Sequence, residues 1–587
     1  MFVYTIISTP MLNGDIIKRF VSSRHFLISL IFLYILFMVV LTTHVNFSIP
    51  NTVQRKAAGI LLVDFYDHFF ELHSFKDLVT LFSSYYNHYL AFTGFVEWPP
   101  LQIFLLSIFY TFFGIQDSSP ILFSLFLTAA NLFLFVLLMK RDGSQKFVIV
   151  GTLILLMSHA YFIITSAEPY FEQGVIFFLL LCFLFLSKFL QYHSWKYLYF
   201  LAISLGFGLL YKLDVILIFI PLVVVFLFFF KEKLTFFSQA RNYRHIFFCI
   251  VIILGIFSVY LGSQYVLGQY HLSPLWDRSF GLLDKGEAKI SQPSLFLTVY
   301  EYEFQHDLSI AQKEIILDRI HFSNLQRFVI VLLSLFFQWF LFPFFLFKVF
   351  QILRSRKITP FELYALSFVG IAILFYTFVH VLPRYLFPAA PFVIFLAIRS
   401  LKDMQLKFRY GIMIILIFMS VTQATFFIND INTGNHIISV QHDFDTTSQF
   451  IVTFLNVHNL TGSIITTKSH EMAYAFIKKD AERRVFMHYL PDLEEDFQSL
   501  LNTQCRNMSI SYLEKRGVSS LGSELEKPPC MFIVIHEQFE ENPILVDGKI
   551  YSYNATSIVQ ERTDYALVNI IPSTHLHSRT FIYQKKP

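Results

Sequence analysis

Asp64 stands about twenty residues beyond the first apolar run, in Val63-Asp64-Phe65-Tyr66-Asp67-His68-Phe69-Phe70-Glu71. Asp64, Asp67, His68 and Glu71 recur at i, i+3, i+4 and i+7, so a helix would align them on one face. Two uses fit such a face. One is a solvated amphipathic helix lying on a bilayer with Phe65, Phe69, Phe70 and Leu72 in the lipid. The other is a general base at the membrane surface, within hydrogen-bond reach of an acceptor hydroxyl or amine. A carboxylate near hydrocarbon costs about 2.5–3.5 kcal/mol at a helix centre on insertion scales, which makes it a functional candidate by default.

Further charged residues stand at the ends of apolar runs. Glu168 closes one run and precedes Pro169. It reads either as a charge at the N-terminus of the next helix or as a second carboxylate that positions an acceptor or a metal. Lys212 and Asp214 separate two apolar runs; a mutual ion pair or snorkelling explains them, and so does binding of a lipid-linked phosphate whose tail lies in the bilayer. Arg384, in His380-Val381-Leu382-Pro383-Arg384-Tyr385, supplies a second cation whose guanidinium binds phosphate oxygens bidentately and keeps its charge. Asp67, His68, Glu97, His380 and Tyr385 are candidate acceptor or donor contacts.

The elements that must position these groups are membrane helices. The chain has 587 residues, 55% of them hydrophobic and 18% aromatic, with 74 Phe and 15% charged residues, which excludes an ordinary soluble protein. Repeated apolar runs indicate a polytopic α-helical membrane protein, because a helix satisfies its own backbone in lipid. A net charge of +4 offers no nucleic-acid face. The first run, Phe26 to Thr43, is too long for a signal-peptide core and has no small-residue cleavage site after it.

Further runs lie near 101–113, 120–139, 147–166, 170–188, 197–212, 215–230, 245–267, 325–350, 361–380, 385–400 and 410–428. Five basic clusters between them mark cytoplasmic loops: Lys140-Arg141 with Lys146, Lys188 with Lys196, Lys231 and Lys233 with Arg241 and Arg244, Arg354-Arg356-Lys357, and Lys402-Lys407-Arg409. All five clusters face the cytoplasm if 101–113 is re-entrant or lies flat, giving about eleven crossings. A full crossing by 101–113 gives about twelve and breaks the charge rule. The run is short and opens at Pro99-Pro100, so the first arrangement is preferred. It sets the outer loop 44–98, Glu168, Lys212, Arg384 and the sequons at Asn46, Asn459, Asn507 and Asn554 on one extracytoplasmic face.

After residue 430 the hydropathy drops. Residues 1–430 form the membrane part, and 431–587 read as a small extracytoplasmic α/β domain. Its expected strands are Ser463 to Thr466, Met531 to Ile535 and Tyr565 to Ile570, and its expected helices Glu471 to Lys479 and Leu493 to Leu501. Cys182 and Cys249 lie in apolar runs and read as packing residues. Cys505 and Cys530 form a disulfide or stay apart, depending on the compartment. Nothing has a metal-site Cys/His spacing.

In order and spacing these residues resemble the GT-C membrane glycosyltransferases, in particular the protein O-mannosyltransferase and aminoarabinose transferase group (families 39 and 83). The likeness comprises Asp64, the turn Pro99-Pro100-Leu101, Phe113-Gly114, Ser166-x-Glu168-Pro169, Gly206 through Tyr211-Lys212, and Arg384-Tyr385-Leu386-x-Pro388-x-x-Pro391. It covers about residues 26–430. The chain departs from the group's pattern where Phe65 follows Asp64 in place of Glu, and where Trp98 in place of a basic residue precedes the Pro-Pro pair.

The resemblance implies transfer of a sugar from a polyprenyl-phosphate donor (dolichyl or undecaprenyl), with inversion, to a glycan, lipid or protein acceptor on the extracytoplasmic or luminal side. It implies Asp64 as general base, Glu168 as a supporting acid, and Lys212 and Arg384 as partners of the lipid phosphate. Group members can use a divalent metal, Mg or Mn, for which the sequence offers carboxylates and no distinctive motif. A transporter or lipid flippase is the competing class; it would line a through-path with these residues, whereas an enzyme would gather them around one outer cavity.

Overall fold

A computed structural model describes residues 24–44, 50–69, 99–230, 240–269, 324–378, 383–432, 441–458, 462–466, 485–489, 498, 501, 530–536, 544–546, 549–551, 554–572 and 579–586. The apolar runs fold as helices: α1 (Arg24–His44), α2 (Pro50–Phe69), α3 (Leu101–Phe113), α4 (Ser118–Arg141), α5 (Lys146–Met157), α6 (Ala160–Ala167), α7 (Phe171–Tyr192) and α8 (Trp195–Tyr211). After a 3-10 turn at Leu213–Ile218 come α9 (Phe219–Phe230), α10 (Ala240–Gln269), α11 (Asn324–Leu335) and α12 (Phe342–Ser355). Helices α13 (Pro360–Phe378), α14 (Pro383–Leu386), α15 (Ala390–Ser400), α16 (Leu406–Asn432) and α17 (Gln441–His458) follow.

Among the described residues seven helices are long and apolar enough to cross a membrane, nine if each of two bent pairs is one crossing; α3, α8 and the stretch Phe387–Ser400 are shorter apolar helices. Two of the apolar runs are broken. The run 147–166 bends by 67° between Met157 and Ala160, and the run 325–350 bends by 90° between Leu335 and Trp339. The breaks meet through side chains. Ser158 Oγ lies 2.6 Å from Ser420 Oγ, and Gln338 Nε2 donates to the same Ser420 oxygen at 2.6 Å. Tertiary hydrogen bonds thus replace backbone ones where the ladders stop.

Apolar side chains on the outside of this bundle, such as Phe32, Phe126, Phe247 and Phe418, are exposed as lipid contacts require. Its interior is aromatic. Phe183 of α7 stacks on Tyr364 of α13 at 4.5 Å, and Phe135 of α4 meets Phe361 and Phe392 edge-on. Gly114, with φ 82°, ends α3 in a conformation that penalises any side chain.

The tail carries a five-stranded sheet in the order β2-β1-β3-β7-β6. Strands β1 (Gly462–Thr466), β2 (Val485–Tyr489) and β3 (Cys530–His536) run parallel. A two-stranded ribbon, β4 (Ile544–Val546) with β5 (Lys549–Tyr551), precedes helix α18 (Ala555–Gln560). The final hairpin, β6 (Tyr565–Pro572) with β7 (Arg579–Lys585), joins the sheet through β7, antiparallel to β3. The three expected strands are present. β2 and β7 were not expected: β7 is amphiphilic and ends in Lys585-Lys586, so it owes its conformation to partners on both sides. The expected helix Glu471 to Lys479 lies outside the described residues, and of Leu493 to Leu501 only Gln498 and Leu501 are described, both helical. Cys505, Asn46, Asn459 and Asn507 also lie outside them. Asn554 caps α18, its side chain accepting from the Ser557 amide at 2.8 Å.

Candidate functional site

The segment expected as the first outer loop is not all loop. Helix α2 spans Pro50–Phe69, so Asp64, Asp67 and His68 sit on a helix as their spacing requires; their side chains, like Glu71, Glu97 and His380, lie outside the described residues. The helix docks by its basic residues. Arg55 and Lys56 are 3% and 4% exposed. Lys56 Nζ meets Glu168 Oε2 at 2.6 Å, and the Arg55 guanidinium lies 4.2 Å above the Phe171 ring. Further along, Gly59 brings the α2 backbone against Tyr110 of α3, where an added Cβ would sit 3.1 Å from the ring, and Tyr66 Oη shares a hydrogen with Ser107 Oγ at 2.9 Å.

Glu168 occupies the break between α6 and α7 in extended conformation, φ −131° and ψ 152°. Pro169 has no amide hydrogen to continue a helix, and its carbonyl accepts from Gln102 Nε2 at 2.7 Å. Glu172 and Gln173 lie in the first turn of α7, where the helix dipole favours a carboxylate. Gln173 is fixed by Asn131 of α4 at 2.7 Å and by Thr165 of α6 at 2.9 Å.

Lys212 is the hub. It stands in extended conformation between α8 and the 3-10 turn, 6% exposed. Its ammonium lies 2.9 Å from Asp214 Oδ2, 3.7 Å from Glu172 Oε1 and 4.3 Å above the Tyr385 ring. Burial alone would lower the Lys212 pKa, but Asp214, Glu172 and Tyr385 together raise it above its ordinary value, so the ammonium stays charged. Tyr376 Oη donates to Asp214 Oδ2 at 3.2 Å and its ring stacks on Tyr385. Gly174 permits the close approach of Tyr211, since a Cβ there would fall 2.1 Å from the ring. Lys212, Asp214, Tyr376 and Tyr385 form the polar side of a narrow cleft. Val175, Leu217, Phe368, Ala372, Pro388 and Ala389 form its apolar side.

Of the residues singled out in the sequence, the structure brings Glu168, Lys212 and Tyr385 into one neighbourhood, linked through Phe171, whose ring faces both Arg55 and Lys212. Arg384 adjoins Tyr385 in α14, its side chain outside the described residues. Arg55, Lys56, Gln102, Glu172 and Tyr376 were missed. A usable signal existed for the first two: Arg55 and Lys56 break the positive-inside pattern of the loop expected to be outer, as Arg384 does. Glu172 is an acid inside an apolar run. Among the described residues no group of three or more His, Cys, Asp or Glu could hold a metal ion. Glu168 and Asp214 are each within 3 Å of an ammonium, which does not suit a divalent-cation cradle.

Residues 97–262 match the family model described as dolichyl-phosphate-mannose-protein mannosyltransferase. This stretch contains Glu168, Glu172, Lys212 and Asp214. Over this stretch the chain is similar to a family of glycosyltransferases. No curated protein sequence matches it. Two crystal structures of ArnT from Cupriavidus metallidurans, one apo and one bound to undecaprenyl phosphate, align with 94% of this chain and 98% of theirs. Each does so at 11% identity and a TM-score of 0.47. Of the charged residues in this neighbourhood, Lys212 and Asp214 line the cleft.

Proposed function

We propose that this glycosyltransferase moves a sugar from a polyprenyl-phosphate donor to a glycan, lipid or protein acceptor on the extracytoplasmic or luminal side of the membrane. The observation that carries the reading is Lys212: a charged ammonium at the polar edge of an apolar-walled cleft, the arrangement an anionic headgroup on a hydrocarbon tail demands. The family that matches 97–262 is described by such a donor. Lys140 and Arg141, and Arg354, Arg356 and Lys357 before Pro360, fall at the Glu362 end of α13, away from Tyr376. That distribution supports a site on the side opposite the cytoplasm.

In the proposed reaction the acceptor heteroatom attacks the anomeric carbon from the face opposite the phosphate. The bond from that carbon to the phosphate oxygen breaks with its electron pair left on the phosphate, and the configuration inverts. Asp64 takes the acceptor proton. Lys212 and Arg384 meet the charge that grows on the leaving phosphate, the form of stabilisation that dominates in a site with little water. Glu168 supports the site through Lys56, which ties the helix bearing Asp64 to the break between α6 and α7. Asp67, His68, Glu97, His380 and Tyr385 are proposed contacts to donor or acceptor.

The test supplies labelled polyprenyl-phosphate sugars to membranes carrying wild type or Asp64→Asn at equal expression. Loss of the base is expected to slow transfer by about 10²–10⁴-fold. Undiminished transfer by the variant overturns Asp64 as base. No transfer by wild type from any lipid-phosphate sugar overturns the donor assignment.

A further inference from the structure

Lys212 does not wait for its ligand as a free cation. Asp214 lies 2.9 Å from its nitrogen and Glu172 3.7 Å, so the ammonium is outnumbered before any anion arrives. Both carboxylates are fixed. Tyr376 holds Asp214 at 3.2 Å, and Glu172 is buried in the first turn of α7 with its Oε2 lacking a hydrogen-bond partner. Asp214 and Lys212 both line the cleft, so whatever anion reaches the ammonium also meets the carboxylate. A site built only to hold phosphate tightly would not keep this arrangement.

The chemistry of the lipid gives it a use. A polyprenyl-phosphate sugar is a phosphodiester with one negative charge. The product left after transfer is a phosphomonoester, whose second ionisation falls near pH 6, so it carries about −1.5 to −2 at pH 7. Fixed negative charge beside the headgroup therefore acts more strongly on product than on donor. Like charges at close range in a poorly solvated site repel more strongly than in water, which separates the two lipids.

We propose that Asp214, held by Tyr376, is a specificity-determining residue that makes the cleft favour the monoanionic donor over the dianionic lipid product and so speeds product release. The inference rests on the polyprenyl-phosphate reading above. Asp214 repels the spent headgroup, and Lys212 keeps enough attraction to seat the donor.

The experiment measures binding of polyprenyl phosphate and of polyprenyl-phosphate sugar to the purified full-length enzyme in detergent, together with donor KM and inhibition by polyprenyl phosphate. Wild type, Asp214→Asn and Tyr376→Phe are compared. Asp214→Asn is expected to tighten product binding by about tenfold or more and donor binding by no more than about threefold, with product inhibition appearing at lower concentration. Tyr376→Phe, which frees the carboxylate without removing its charge, is expected to shift both in the same sense by less. Equal tightening for the two lipids, or none, overturns the discrimination. Failure of wild type to bind either lipid overturns the donor reading beneath it. A variant that merely unsettles the fold weakens both lipids alike, which the donor-to-product ratio exposes.

Discussion

Helix α13 joins two charged clusters of opposite character. Near its start Arg399 bonds Asp142 at 2.8 Å and Glu362 at 2.7 Å, and Lys348 reaches the same Glu362 oxygen at 2.6 Å. The other Glu362 oxygen accepts from the Thr359 amide, while Thr359 Oγ1 accepts from the Glu362 amide, a reciprocal cap on the helix. Two cations and two carboxylates from four chain segments close on one another. Fourteen residues later, about 21 Å along the axis, Tyr376 meets Asp214 at the cleft. There the carboxylates outnumber the nearest ammonium, one oxygen of Glu172 has no partner, and the cluster opens on empty space. A buried ion network by itself is no sign of a site. The contrast is the reason for proposing the working site at the cluster that lines the cleft.

The largest expected effect tests the closed cluster. Arg399→Met leaves Asp142 and Glu362 buried without their shared guanidinium, and breaking such a pair from one side costs about 3–5 kcal/mol. The variant is expected to accumulate poorly and to melt far below wild type in detergent. Normal melting with lost transfer would reverse the assignment and make this end the working one. Lys212→Met should behave in the opposite way. It removes an ammonium proposed to meet developing charge, so transfer should fall about 10²–10³-fold. The fold should persist well enough for the melting temperature to be measured beside wild type. A variant that transfers normally would leave the cleft without its cation's role.

How much of this was legible depended on whether a residue's role was local. Apolar length alone located the helices, since lipid leaves the backbone few choices. The bends at Ser158 and Gln338 were hidden because the apolar run continues through each, and the partner that fixes both, Ser420, is remote in sequence. Glu168, Lys212 and Tyr385 stood out as polar residues at the ends of apolar runs, and they do share a neighbourhood. Lys56 did not stand out, since a lysine in an outer loop reads as solvated until Glu168 is seen 2.6 Å away. Nor did Tyr376, whose only mark is a hydroxyl aimed at Asp214 across 162 residues. Pairings of this kind belong to the fold and leave no periodic trace.

The smallest expected effect asks whether the closed cluster is fully balanced. Arg399 divides its charge between Asp142 and Glu362, and Glu362 has Lys348 as well. Burial therefore prevails at Asp142 over the attraction of Arg399 and pushes its pKa up from 3.8 to about 6. A carboxyl whose folded pKa lies above its unfolded value stabilises the fold fully only below the unfolded value, and that contribution is lost as pH rises through about 6. The whole span is worth on the order of 3 kcal/mol, or several degrees in melting temperature. Asn cannot ionise, so the melting temperature of wild type minus that of Asp142→Asn should fall between pH 4 and pH 7, whatever other groups do to both. A difference that rises with pH would mean that Arg399 prevails over burial and that the closed cluster has cation enough for both carboxylates. The two ends of α13 would then differ in their openness to the cleft and not in how well their charges are matched.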